Sequence, residues 1–272
     1  MTTQASPHRF DADTLVTQAG PDGRWHAELT PRWGAIGGAP NGGYLLATAL
    51  AATAPAFAGA DLLTVTAHYL RPGAVGPAEI DVEVVKRGRL TSTASTRLSQ
   101  GGKERVRVLA SYGDLGALPG PTAFTVEPPA IPRPDDCPAP HSSADPGVAT
   151  IAQRFDYRLA PGSRWVTGER SAEARIDGWI RFADGRQPDS AALPLMVDAF
   201  PPSIFEVMDG VVAPTAELTV HLRQRPADGW IQARLQTRAV LGGLIEEDVE
   251  LWDSAGRLVA MSRQLAVLVP VG

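Results

Sequence analysis

The chain is short of cysteine, of net positive charge and of long apolar runs, and each shortage removes a class of protein. A single cysteine, Cys137, among 272 residues excludes an internal disulfide, and it stands in a proline-rich stretch with no candidate base beside it to make a reactive thiolate. Twenty-five Lys and Arg against 30 Asp and Glu leave a net charge of -5, which provides no field for nucleic acid or for an anionic membrane. There is no charged-then-apolar leader and no run of 18 apolar residues, so neither a signal peptide nor a membrane span is expected and the chain reads as cytoplasmic. No Gly-x-Gly-x-x-Gly follows a strand, no phosphate-loop Gly-Lys-Ser/Thr occurs, and no Gly-x-Ser-x-Gly elbow is present. These absences remove the common nucleotide-binding and serine hydrolase readings and leave a small-molecule or protein partner.

What is present is an internal repeat. "TVTAHYLRPG" (64–73) and "AELTVHLRQRPADG" (216–229) each carry Thr-x-His followed by Arg and Pro, at an offset of about 153. "AEIDVEVVKRGRLTSTASTRL" matches "GWIQARLQTRAVLGGLIEEDVEL" in layout, and "GGKERVRVLASYG" matches "SAGRLVAMSRQLAV". Each half supplies strands with period-2 stretches of Val, Ile, Thr and Leu separated by Gly-containing turns. Ahead of them each half has one earlier strand, near 24–29 and 172–184, and one apolar helix. The first helix is expected near 42–54 and the second within 189–200, where Pro201 and Pro202 predict a break. Between the halves, prolines recur from Gly116 to Pro146 as a linker. The expected organisation is residues 1–115, a linker over 116–165, and residues 166–272. A helix apolar on all faces must be enclosed, so the architecture is α+β, with an antiparallel sheet around one central helix in each half.

Asp198 is the polar exception in the second apolar helix. An isolated carboxylate there is costly to bury unless it is paired, and a position near the negative end of its own helix would make it more basic, so it reads as a candidate general base. The bland alternative is an ion pair or solvent at the helix end. Asn41, in "GGAPNGGYLLATAL", is a natural N-cap. The Gly42 and Gly43 amides that follow could polarise a carbonyl oxygen, since glycine lets a ligand approach. His68 and His221 occupy matching repeat positions but lack a ligand set at metal spacing, and Trp25, Trp33 and Trp179 read as core aromatics. Gln264 alternates with apolar neighbours, so an outward strand position is its bland reading.

Taken together, "NGGYLLATAL", "GWIRFADGRQPDSAALPLMVDAF", "PTAELTVHLR" and "GRLVAMSRQ" resemble the type II acyl-CoA thioesterase family of double hotdog proteins. The resemblance covers about 20–115 and 165–270. It implies hydrolysis of an acyl-CoA or other acyl thioester by an activated water, without a covalent intermediate and without a metal or redox cofactor. It also implies three residues that hold the water: Asp198, Thr215 with Thr219 as the fallback, and Gln264. Asn41, Gly42 and Gly43 would lie at the substrate. At the repeat offset Asp198, Thr215 and Gln264 fall on Leu45, Leu62 and Ser111, so one working site per chain is expected. Exposed sheets in such proteins often pair, which implies a homo-oligomer. Two other functions stay open: an enoyl or hydroxyacyl thioester hydratase or dehydratase, for which His26 is the one candidate second acid/base group, and a non-catalytic acyl-binding or scaffold protein.

Overall fold

Period-2 alternation makes strands, and in this chain nearly every such stretch joins one sheet. The computed structural model describes residues 7–20, 23–118, 120–123, 126–141 and 149–271. The first half contains α1 (Arg9–Asp13), β1 (Val16–Gln18), β2 (Arg24–Leu29), α2 (Gly42–Thr53), β3 (Asp61–Tyr69), β4 (Gly76–Lys86), β5 (Ser92–Gln100) and β6 (Lys103–Gly113). The second contains β7 (Phe155–Leu159), α3 (Arg164–Thr167), β8 (Arg175–Phe182), α4 (Leu193–Met196), β9 (Val211–Val212), β10 (Thr215–Leu222), β11 (Ile231–Gln236), β12 (Val240–Leu241), β13 (Leu244–Trp252), β14 (Leu258–Val267) and β15 (Val269–Pro270). Among the described residues no helix is long and apolar enough to cross a membrane.

The strand order is β1-β2-β4-β5-β6-β3-β10-β14-β13-β11-β8-β7, with β12 beside β13, and every pairing is antiparallel. Each half therefore uses the same internal order: the early strand, then three later strands, then the strand that follows the helix. The expected pair of sheets is in fact continuous, because β3 and β10 pair at the seam with Thr66 opposite Thr219 and Val65 opposite Val220. The Thr66 and Thr219 hydroxyls are 2.9 Å apart, so the repeat read in the sequence meets itself face to face. The expected linker over 116–165 contributes β7, past its proline-rich part, with Phe155 opposite Phe182.

Helix α2 forms as its composition requires. Asn41 caps it, accepting the Tyr44 amide at 3.1 Å, and Gly43 through Leu50 are all buried. Its buried hydroxyls all find partners: Thr48 and Thr53 donate to the carbonyls of Tyr44 and Ala49 four residues back, and the Tyr44 hydroxyl donates to the Asp13 carbonyl at 2.8 Å. Leu45, Leu46 and Leu50 each contribute about 1.5–3 kcal/mol by leaving water. They belong to one apolar cluster that also holds Leu193, Leu195 and Met196 of the second half.

The second helix departs from expectation. It is a single turn, Leu193–Met196, rather than a long central helix, and Asp198 stands in the turn just after it. Pro201 and Pro202 bar the helix from continuing past Phe200, since neither can donate an amide to an upstream carbonyl and the residue before a proline is pushed out of the helical region; the chain leaves the helix earlier, after Met196, where it turns Asp198 onto Gly43. The double hotdog expectation of one enclosed helix per half thus holds in full length only for α2.

Candidate functional site

The short second helix delivers Asp198 to the N-terminus of the long first one. Asp198 Oδ2 accepts the Gly43 amide at 2.6 Å and the Asn41 Nδ2 at 3.0 Å, while Asn41 Nδ2 also donates to the Asp198 carbonyl at 3.0 Å. Asn41 is thus both the cap of α2 and the clamp of the turn that carries Asp198. Glycine lets this contact close without displacement: a Cβ on Gly43 would stand 3.0 Å from Asp198 Cβ and 3.1 Å from Leu195 Cα. The other oxygen, Oδ1, accepts no hydrogen bond from any described residue.

The dipole argument made from the sequence is corrected by this geometry. A one-turn helix has little macrodipole, and the helix end that Asp198 meets is the positive one of α2, which favours its ionised form. Burial outweighs that stabilisation. The Asp198 carboxyl is pushed up to about 7, chiefly by loss of water and further by the charge of Glu247, against the opposing Gly43 and Asn41 hydrogen bonds. No arginine or lysine pairs with it among the described residues. A partly exposed carboxylate that titrates near neutrality is suited to take a proton and return it.

A polar row crosses the otherwise apolar inner face of four adjacent strands. Gln264 on β14 is buried, not outward as its bland reading had it, and Glu247 lies directly opposite on β13. Thr215 Oγ1 donates to Gln264 Oε1 at 2.9 Å, Gln264 Nε2 donates to Glu247 Oε1 at 2.8 Å, and the Ser203 amide donates to Glu247 Oε2 at 2.5 Å. Burial pushes the Glu247 carboxyl up while the Ser203 and Gln264 hydrogen bonds favour its ionised form; as a carboxylate it only accepts, and so fixes which end of the Gln264 amide points which way. The Thr215 proton is then committed to Gln264, and its lone pairs remain for a donor such as water. Thr215 faces inward because a bulge interrupts β10 between Thr215 and Glu217. Thr219 lies on the other side of that strand, hydrogen-bonded to Thr66 and Glu217.

Tyr69 on β3 extends the row toward α2. Register places His68 opposite Glu217, so Tyr69 stands beside the bulge at Ala216. Its ring also packs on the N-terminus of α2, with Cζ 3.1 Å from where a Gly42 Cβ would be; Asp198 Oδ2 is 3.1 Å from the same point. Tyr69 thus neighbours both the α2 N-terminus that holds Asp198 and the bulged start of β10.

The expected substrate residues divide. The Gly43 amide serves Asp198, which corrects its expected role as a donor to the substrate. The Gly42 amide makes no hydrogen bond to a described residue and stays available. Glu247 and Tyr69 were missed from the sequence, although parity marks both. Glu247 falls between Ile245 and Val249 on the buried face, and Tyr69 continues the inward series Val65, Ala67. Cys137 is buried with its thiol against the Pro132 carbonyl, and burial pushes it up, away from thiolate chemistry. His68 and His221 lie exposed on the outer face, the latter 2.9 Å from Thr64 Oγ1.

Known proteins share this fold. A protein from Thermobifida fusca YX, described as a candidate thioesterase II, has 34% identity and superposes with a TM-score of 0.86 over 96% of this chain and 98% of its own. A hot dog fold protein from Alicyclobacillus acidocaldarius, at 23% identity, superposes with a TM-score of 0.84 over 98% of this chain and all of its own, which shows the fold. The thioesterase-like protein TwmA of Talaromyces wortmannii is 25% identical over 297 residues, 87% of this chain and 85% of that one. Residues 29–113 match the acyl-CoA thioesterase N-terminal domain and 134–268 the C-terminal domain, in that order. The chain belongs to the acyl-CoA thioesterase family, a family of thioester hydrolases.

Proposed function

We propose that the protein hydrolyses acyl-CoA, or a closely related acyl thioester, by direct attack of a water that Asp198 deprotonates. The observation that carries this reading is the placement of the Asp198 carboxyl, with Oδ2 anchored on the N-terminus of α2 and Oδ1 unengaged, in surroundings whose burial pushes it up to about 7. Water held between Asp198 Oδ1 and the Thr215 hydroxyl would lose a proton to Asp198 as its oxygen bonds to the thioester carbon. The carbonyl electron pair moves onto oxygen, facing the unengaged Gly42 amide. Collapse of the tetrahedral species breaks the carbon–sulfur bond, and the proton on Asp198 passes to the departing thiolate. The products are a carboxylic acid and a thiol, and Asp198 is again ionised.

Gln264 and Glu247 take no proton in this scheme; they keep Thr215 oriented. The first half contributes the α2 entrance and Tyr69, and the second the base with Thr215, Gln264 and Glu247, which fits one site per chain. At the repeat-related positions Leu45 and Leu62 are buried apolar side chains and Ser111 bonds Thr93, so the other end has no comparable set. The hydratase alternative needs a histidine facing the aspartate, and His26 is instead exposed on β2.

The test is a panel of acyl-CoA chain lengths assayed for both thiol release and enoyl hydration. Enzyme-dependent thiol release is the expected result. Hydration without thiol release, or binding with neither product, would overturn the reading.

A further inference from the structure

We infer that Tyr69 is a second catalytic donor of this site: its phenol O–H and the Gly42 N–H together hold the thioester carbonyl oxygen as that oxygen becomes negative. The inference rests on the thioesterase reading and adds a residue to it. Tyr69 Oη is buried and has no hydrogen-bond partner among the described residues. A buried hydroxyl without a partner is rare in folded proteins, and phenylalanine would fill nearly the same volume without stranding a donor. No described residue satisfies this hydroxyl, which leaves its proton for a bound substrate oxygen.

The position says which partner. The Tyr69 ring packs on Gly42, with Cζ and Cε1 at 3.1 and 3.2 Å from the site of a Gly42 Cβ. The Gly42 amide is the other donor at this point without a partner, since Gly43 is committed to Asp198. Two unsatisfied donors on neighbouring groups, beside a base and at a residue with no side chain to bar approach, match the needs of a carbonyl oxygen that gains charge. Burial and the nearby Asp198 and Glu217 carboxylates hold the phenol well above its ordinary range, so it stays protonated and can only donate.

The test is Tyr69→Phe, measured for kcat, KM, the pH dependence of kcat/KM and thermal midpoint. The expected result is a fall in kcat of about 100-fold, the scale for one lost oxyanion donor, with KM within about twofold of the parent. The pH limb set by Asp198 stays in place, and the midpoint is equal or higher because a stranded hydroxyl has been removed. A kcat within about twofold of the parent overturns the assignment while leaving the thioesterase reading intact. A loss accompanied by a moved pH limb or a lowered midpoint also overturns it, because Tyr69 would then act through Asp198 or through the fold. Absence of thiol release by the parent protein on every acyl-CoA tested would remove both readings.

Discussion

The Gly43 amide donates to Asp198 Oδ2 at 2.6 Å, across 155 residues of sequence. The bond ties the start of the first half's long helix to the turn after the second half's short one, and it decides which carboxylate oxygen is free for chemistry. With Oδ2 held from one side by Gly43 and Asn41, proton transfer is assigned to Oδ1 in the proposed mechanism.

Gly43→Ala tests that contact. Its new Cβ would stand 3.0 Å from Asp198 Cβ and 3.1 Å from the Leu195 backbone, so the Asp198 turn must shift away from α2. Overpacking of this kind costs about 1–3 kcal/mol. Chemical denaturation should show that loss, and kcat should fall by about tenfold or more, because small displacements of a base are expensive in rate.

The pH dependence follows from the raised Asp198 carboxyl. Below its titration point the base is protonated and inactive, so kcat/KM should rise about tenfold per pH unit and level off above about 7. The stability effect has the opposite slope. Between the ordinary value of 3.8 and about 7 the folded chain holds a proton at Asp198 that the unfolded chain has released, so this residue's contribution to stability is present at the low end and lost as pH rises through about 7. The thermal midpoint of Asp198→Asn minus that of the parent should therefore grow from pH about 4 to about 7, as scanning calorimetry would measure.

Glu247→Gln separates positioning from chemistry. The glutamine cannot accept from both Gln264 and the Ser203 amide through two oxygens, so the Gln264 amide loses its fixed orientation. A fall in kcat of about tenfold is expected, the equivalent of one weakened hydrogen bond to a charged group. Removing the Glu247 charge also takes away one cause of the raised Asp198 carboxyl, so the limb in kcat/KM should move to lower pH. A limb that stays in place would contradict the part assigned to the Glu247 charge in raising the Asp198 carboxyl.

Much of this was legible in the residues. The Thr-x-His repeats meet at the β3 and β10 seam, and the enclosed helix expected over "NGGYLLATAL" is α2. Asp198 was visible as the polar residue in an apolar stretch because burying a charge is costly enough to need a reason. The short α4 was harder: prolines at 201 and 202 announce an end, but the helix stops at Met196 because the chain must turn to bring Asp198 onto Gly43. That is a tertiary demand with no local signature. The inward face of Thr215 depends on a bulge, and a bulge shifts parity without changing composition. Glu247 was legible in principle, as an acid at the buried parity of "LIEEDVEL", but its partner Gln264 lies on another strand, and pairing register is not written in either one.

The central claim is that Asp198 is the base, and the most direct measurement is steady-state thiol release by Asp198→Asn against the parent at a pH above the limb. Asparagine keeps an oxygen for the Gly43 amide but cannot take a proton. The account predicts a loss in kcat of about 10²- to 10⁴-fold with a folded protein of equal or higher thermal midpoint. Turnover by Asp198→Asn close to that of the parent would contradict it.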